Sequence, residues 1–292
     1  MAALMEGSPQ DNFPIPQMRR SVKAAGVSRE LLPRQSPELL KELHLLTREG
    51  DLNADALRKL KQVNHLVQLL QPALDDIWAR FAEPTVVDAA SGNAYLGFIL
   101  YELFFKPSQK GRLYSIESRP ELAARARERA QRLGFDRMEF QSGTLEQASY
   151  PARIHLMVAL HACDTATDDA LLAAVSHNAD HIAVVPCCQA EVAEQLKKGG
   201  DRGSPMQALY EHPWHRREFG SHLTNVVRVL ALESVGYQLT VTELTGWEHS
   251  LKNELILARR VHREDASARD RLKALLESTG IHPKLTRKLQ LT

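Results

Sequence analysis

The sequence of 292 residues has few cysteines, few aromatic residues and almost no net charge. Its three cysteines, Cys163, Cys187 and Cys188, are too few and too clustered for a disulfide framework, which indicates a reducing compartment. With 37 basic and 36 acidic residues, the formal net charge of +1 excludes a protein that holds nucleic acid by bulk charge alone. The 43% of hydrophobic residues is typical of a chain that buries a core.

Long apolar runs are also missing. Nowhere do 18 apolar residues follow one another, so no transmembrane helix and no membrane partner are predicted. Residues 1–11 carry acids and no apolar segment of signal-peptide length, so no secretory signal is predicted either. A cytoplasmic protein is the simplest expectation.

Composition and apolar periodicity divide the chain into four parts. Residues 1–35 hold four of the fourteen prolines and show no apolar period, which predicts a disordered arm. In residues 36–83, Ser36 before Pro37 predicts a helix that runs to Gly50, and apolar residues at helical spacing predict a longer one over 54–81. The other two parts are a main domain at 84–260 and a C-terminal helix (266–278) with a basic tail at 261–292.

Short β-rich runs alternate with helical stretches from residue 84 onward. These runs cover residues 85–89, 112–117, 138–141, 154–160 and 181–185. The alternation predicts an α/β fold, with a parallel sheet and helices on both faces. Two further runs, 238–244 and 251–259, are separated by a tight segment around Gly246 and Trp247, which predicts an antiparallel hairpin at the sheet edge.

Ligands of open parallel sheets bind at the carboxyl ends of the strands. The first strand ends at Asp88, and a turn of small residues follows it. Small residues let backbone N–H groups approach a ligand closely. Only Gly92 and Gly97 are glycines there, so the segment is neither a dinucleotide fingerprint nor a phosphate-binding P-loop. On its own, such a turn is structural about as often as it is functional.

Glu117 closes the second predicted strand about thirty residues after that turn. A carboxylate in this position can accept hydrogen bonds from both hydroxyls of a ribose. As a lone feature Glu117 would more often be a surface acid, but its combination with Asp88 is more specific.

The two features together resemble the class I S-adenosylmethionine-dependent methyltransferases, over about residues 54–260. Residues 88–97 resemble the first motif of that family, and Glu117 resembles its ribose-binding acid. Residues 159–168 and 185–189 are similar to the Leu-His-x-Cys-Gly-Asp and Cys-Cys signatures of one subfamily. It includes methyltransferase-like 25 proteins, the glutathione S-transferase C-terminal domain-containing protein and tRNA 2′-O-methyltransferases of the TRM13 type. The resemblance implies a Rossmann-like, seven-stranded, mostly parallel sheet with an antiparallel edge hairpin and an N-terminal helical element.

The same resemblance implies S-adenosylmethionine as the cofactor. Gly92 and Asn93 would approach its methionine carboxylate, while Asp88 would order the turn or receive the ammonium group through water. Glu117 would hold the ribose. The remaining implied cofactor-binding residues are Ala90, Ser91, Ser118, Thr144, Leu145 and Leu160. Thr144 departs from the family, because many relatives have Asp there.

Transfer of an activated methyl group needs a positioned acceptor and, where the acceptor is protonated, a group that removes its proton. His161 and Asp164 are the candidate catalytic residues, although Asp164 departs from the Gly-Asp order of the motif. Helix capping is the alternative for Asp164, and for Asp168 it is favoured. RNA is favoured over protein as the acceptor. A catalytically silent binding or partner subunit is the alternative function, and a nucleotide-dependent oxidoreductase is disfavoured by the glycine pattern.

The three cysteines allow three interpretations. With His161 they are a conceivable soft-metal set. Adjacent cysteines cannot easily bind one ion, so no metal is predicted, and small buried thiols are favoured. A nucleophilic cysteine is the third reading.

Trp214, beside Arg216 and Arg217, can stack on a base and contact phosphate, but a solvated loop is favoured. Residues 259–292 hold nine basic and four acidic residues, which suggests a tail that delivers a polyanionic substrate and whose removal at Arg263 would weaken RNA binding.

Overall fold

A computed structural model of the protein describes residues 21–160, 162–187, 189–199, 205–244 and 253–291. Four predicted features therefore lie wholly or partly outside the described residues: residues 1–20 of the predicted disordered arm, the catalytic candidate His161, Cys188, and the hairpin turn around Gly246 and Trp247.

The described residues form a seven-stranded sheet in the order β3-β2-β1-β4-β5-β7-β6. The strands are β1 (Thr85–Ala89), β2 (Arg112–Glu117), β3 (Met138–Ser142), β4 (Leu156–Leu160), β5 (His181–Val185), β6 (Tyr237–Glu243) and β7 (Glu254–Arg260). The first five pair in parallel, and β7 runs antiparallel to both β5 and β6. The predicted Rossmann-like fold is confirmed. The second hairpin strand, β7, lies inside the sheet, so that β6 forms the edge.

Helices cover both faces of the sheet. They are α1 (Ala24–Val27), α2 (Pro37–Glu42), α3 (Ala54–Arg80), α4 (Tyr95–Leu100), α5 (Lys106–Ser108), α6 (Pro120–Leu133), α7 (Thr165–Ser176), α8 (Glu191–Gly199), α9 (Pro213–Ser234), α10 (Ala266–Thr279) and α11 (Lys284–Lys288). A π-helical turn, Tyr101–Phe105, joins α4 to α5. Because side chains alternate along a strand, Val86 joins the core under α3 and α4 while Val87 joins the core under α7 and α9.

The N-terminal part differs from its prediction at two points. Residues 21–35 were expected to be disordered, but Val22 pairs with Leu52, and the buried amides of Gln35 and Asn64 exchange hydrogen bonds of 3.0 and 3.2 Å. Ser36 accepts a hydrogen bond from the backbone of Leu39 as the predicted cap, yet the helix ends at Glu42 and not at Gly50. Composition missed the ordered segment because its partners are 27 or more residues away.

The C-terminal part is folded beyond the predicted helix. After α10 the chain forms α11, and Ile281, Leu285 and Leu291 are buried in the core under α7 and α9. The basic side chains of α11 are paired with acids, in the ion pairs Lys284–Asp169, Arg287–Glu191 and Lys288–Glu146. The expectation of a free basic tail is therefore corrected. Truncation at Arg263 would remove part of the core and would not report on RNA binding.

No helix in the described part of the chain is both long enough and apolar enough to cross a membrane.

Candidate cofactor and acceptor site

The turn after β1 has a left-handed backbone at every second residue. The φ angles are 53° at Ala90, 59° at Gly92 and 56° at Ala94. The turn is fastened to β2 by a hydrogen bond from the backbone N–H of Ser91 to the carbonyl of Ile116. A left-handed conformation costs an L-residue about 1–2 kcal/mol. Two alanines held in this conformation mark a strained turn of the kind found at functional sites.

Glu117 contacts this turn directly. Its Oε2 accepts a hydrogen bond of 2.7 Å from the backbone N–H of Gly92, and its Oε1 accepts bonds of 3.1 and 2.8 Å from the backbone N–H and Nε of Arg119. Burial opposes ionisation, but the hydrogen bonds from Arg119 and Gly92 outweigh it and lower the pKa of Glu117. The site therefore presents an ionised carboxylate whose orientation is fixed.

Asp88 lies beneath the turn, buried within the sheet. Burial raises its pKa to about 7, and the charge of Glu117 adds to the rise while the backbone of Gly97 offsets part of it. Among the described residues, Oδ2 of Asp88 has no hydrogen-bond partner, and neither has Oγ of Ser115, its register neighbour on β2. Of the two roles implied for Asp88, the buried position favours ordering of the turn.

The end of β3 lies beside Glu117, and the end of β4 lies on the far side of β1. The backbone N–H of Gly143 donates to the carbonyl of Glu117 at 3.0 Å, which ties the segment after β3 to the end of β2. There Ser118 and Thr144 are exposed, Leu145 is buried and Leu160 is half-buried. The structure thus gathers the implied cofactor-binding residues at one edge of the sheet, beside the switch in strand order between β1 and β4.

The residues at this edge fit S-adenosylmethionine. The ionised carboxylate of Glu117 suits a ribose diol, and the half-buried Gly92 offers a surface without a Cβ to an approaching ligand. A Cβ added at Gly92 would lie 3.8 Å from Nη2 of Arg119, which is ordinary van der Waals contact, so this guanidinium borders the turn at Gly92.

Asp164 caps a neighbouring helix. Its Oδ1 accepts hydrogen bonds of 2.9 and 3.2 Å from the backbone N–H groups of Ala190 and Glu191, where α8 begins. Its backbone, at φ 48° and ψ −122°, is in a region that glycine adopts most readily, and Asp164 stands where the resembled motif has Gly. These bonds engage the carboxylate at the start of α8. At α7, the helix that Asp164 precedes and that it was expected to cap, its side chain makes no capping hydrogen bond.

Asp168 and Arg228 form a buried ion pair behind this edge. Nε of Arg228 is 2.7 Å from Oδ1 of Asp168, and both side chains are at most 3% exposed. Burial raises the pKa of Asp168, and the charge of Arg228 opposes the rise. Arg228 also donates to Oδ1 of Asn225 and to the carbonyl of Asp164. Asp168 thus has a structural role, but as the partner of Arg228 and not as a helix cap.

The sulfurs of Cys163 and Cys187 lie 3.4 Å apart, after β4 and β5 respectively. Their convergence follows from the pairing of the two strands. Cys163 is exposed, which corrects the expectation of a buried thiol there. Within the described ranges, no three His, Cys, Asp or Glu side chains are placed to hold a metal ion.

The segment around Trp214 is helical, which corrects the loop expectation. It begins α9, and the guanidinium of Arg217 lies 4.2 Å from the centroid of the Trp214 ring system, which is 54% exposed. Arg216 instead donates to the carbonyls of Tyr210 and Glu211.

A polar pocket of about 170 Å³ lies between α9 and the ends of β5 and β7. It is lined by Pro186, Gln189, Glu218, Ser221, His222, Asn225 and Glu254. Oγ of Ser221 donates to Oε1 of Gln189 at 2.6 Å, and Nε2 of Gln189 is 3.4 Å from Oδ1 of Asn225. Sequence reasoning missed this pocket because its residues come from three distant segments without a shared motif.

Residues 58–195 match a family model described as a methyltransferase domain. The glutathione S-transferase C-terminal domain-containing proteins of Homo sapiens and Mus musculus are each 28% identical over 233 residues, which cover 72% of this chain and 34% of the relative. The chain thus spans about a third of the length of these curated relatives. An rRNA methylase structure from Streptococcus thermophilus shows 12% identity and a TM-score of 0.44, covering 67% of this chain and 96% of that one.

The match agrees with the predicted methyltransferase domain over residues 58–195. The curated relatives are one of the three kinds of protein in the subfamily that the sequence resembles.

Proposed function

We propose that this chain transfers a methyl group from S-adenosylmethionine to RNA, as a member of the subfamily of methyltransferase-like 25 and TRM13-type proteins. The observation that carries the proposal is the contact between the left-handed turn after β1 and the ionised Glu117. That contact is made although two of the turn's three left-handed positions are alanines, and it supports cofactor binding by this unusual first motif.

The proposal assigns each part of this edge a role. Glu117 accepts hydrogen bonds from the ribose hydroxyls, while backbone groups of Ser91, Gly92 and Asn93 face the methionine end. Leu145 packs on the adenine, with Ser118 and Thr144 beside it. When bound, S-adenosylmethionine supplies an activated sulfonium methyl, so the chain's own residues have to exclude water and align the acceptor.

RNA is proposed as the acceptor because the exposed indole of Trp214 and the guanidinium of Arg217 lie together at the start of α9. Ser221, on the same helix, donates a hydrogen bond to Gln189, just after β5. The proposed cytoplasmic location rests on the sequence, in which three clustered cysteines are too few for a disulfide framework.

The experiment is a labelled-methyl transfer assay with the purified chain, on RNA and protein fractions from cells that lack it. Label in RNA supports the proposal, and label in protein alone would move the acceptor to a protein side chain. Calorimetry with S-adenosylmethionine and with its demethylated product provides the binding control.

A second candidate is a partner subunit that binds the cofactor without transferring the methyl group. It is favoured by Asp164, whose carboxylate is engaged by α8 and is poorly placed to act as a base. Cofactor binding in calorimetry without label in either fraction would support this candidate.

A further inference from the structure

One face of α9 connects solvent with the polar pocket. Trp214, Glu218, Ser221 and Asn225 follow one another at intervals of three or four residues, so they share that face. Trp214 is exposed in the first turn, whereas Ser221 and Asn225 are buried and joined by hydrogen bonds to Gln189, just after β5. The face therefore leads from the surface to the sheet edge that carries the cofactor residues.

The outer end of this face suits a nucleic-acid base. One face of the Trp214 indole carries the guanidinium of Arg217 at 4.2 Å, and the side chain keeps 54% of its surface exposed. Aromatic rings and guanidinium planes are the groups on which unpaired bases stack. In a duplex the bases are already stacked on each other and cannot cover an indole in this way.

The inner end of the face suits the edge of a base or sugar. Gln189, Ser221 and His222 offer amide, hydroxyl and imidazole groups, and Glu218 and Glu254 can accept hydrogen bonds from amino groups. At about 170 Å³ the pocket is smaller than a typical drug-sized site, so it admits one small planar group.

We propose that this face of α9 binds single-stranded RNA, with one base stacked on Trp214 and the edge of a neighbouring base in the polar pocket. The proposal rests on the proposed RNA methyltransferase function. It goes beyond that function by naming single-stranded RNA as the form that is bound, and Trp214 and the polar pocket as the groups that bind it.

The test measures fluorescence anisotropy of a 5′-fluorescein-labelled, mixed-sequence RNA of twelve nucleotides. Loss of one stacked base by Trp214→Ala is expected to weaken binding by about 5- to 150-fold, and Trp214→Phe to restore most of it. Val241→Ala is the control, because Val241 is 48% exposed on the edge strand β6, and it is expected to bind like wild type.

Arg217→Ala is expected to weaken RNA binding less than Trp214→Ala does. It is also expected to reduce the slope of log affinity against log salt concentration by about the contribution of one phosphate contact. Its matched control is Arg112→Ala. Arg112 is 53% exposed in an ion pair of 2.8 Å, and Arg217 is 55% exposed in one of 3.1 Å, so the two differ mainly in location.

Three results would overturn the inference: no binding by wild type at micromolar concentrations, equal binding of a duplex of the same sequence, or unchanged affinity of Trp214→Ala. If a basic peptide binds through Trp214 and RNA does not, the inference is overturned, and the ligand of this face is a protein. If wild type methylates RNA, and the Trp214→Ala variant keeps both the full rate and the full RNA affinity, this inference fails while the proposed RNA methyltransferase function stands. If wild type labels no RNA, the proposed acceptor fails.

Discussion

Replacement of Glu117 by glutamine tests the cofactor site directly. The amide keeps the size of the side chain and one acceptor oxygen, but it removes the charge that Gly92 and Arg119 stabilise. Hydrogen bonds to a charged group contribute about 1.5–3 kcal/mol each. Because a ribose offers two hydroxyls and the amide can still accept one bond, Glu117→Gln is expected to cost about 2–4 kcal/mol of binding free energy. That is a loss of roughly 30- to 1,000-fold in S-adenosylmethionine affinity.

The ion pair between Glu117 and Arg119 changes this expected loss of binding free energy little. Its side chain is 59% exposed, so water can replace its contact with Glu117 at little cost when a ligand binds. Titration calorimetry measures the affinity, and thermal unfolding checks that the variant is folded. Glu139→Gln, which alters a half-exposed ion pair with Arg112 on the neighbouring strand β3, is the matched control. A folded Glu117→Gln variant within threefold of wild-type affinity would refute the role of Glu117 as the ribose acceptor.

Three further predictions concern the support of the site. Arg228→Ala leaves the Asp168 carboxylate buried without its partner and is expected to lower the free energy of unfolding by about 3–5 kcal/mol in urea titrations. Because the folded-state pKa of Asp88 is raised from 3.8 to about 7, the folded state binds more protons than the unfolded one between these values, so stability falls as pH rises from 4 to 7. Asp88→Asn should flatten that slope in unfolding free energies measured at several pH values, and an unchanged slope would contradict the assignment. Gly97→Ala, usually stabilising within a helix, should here destabilise by about 1–3 kcal/mol in the same titrations, since its Cβ would come within 2.9 Å of Oδ2 of Asp88.

Local patterns were enough to predict most of the sheet. The runs at 85–89, 112–117 and 181–185 coincide with β1, β2 and β5, because a central strand of a parallel sheet is an apolar run bounded by turn residues. The contact of Glu117 with the small-residue turn also follows from sequence, since the carboxyl ends of adjacent strands meet at one edge.

Long-range contacts and backbone conformation were beyond such patterns. Arg228 lies 60 residues from Asp168 in the sequence, and no periodic pattern predicts that the two form a buried ion pair. Alanine gives no sign that Ala90 and Ala94 adopt left-handed conformations, because alanine normally avoids them. The neighbours of Asp164 in sequence predict a catalytic candidate, but they do not predict that its carboxylate accepts hydrogen bonds from the backbone at 190 and 191.

The attachment of α11 to α8 has a consequence for how the protein is made. Glu191, at the start of α8, accepts hydrogen bonds from the backbone of Lys284, 93 residues further along the chain. At about 5–20 residues per second, a ribosome needs roughly 5–20 s to add that length. During this interval the nascent chain carries α8 without its contact to α11, so this part of the domain is completed last. We expect chaperones that bind unfinished chains to contact this surface first.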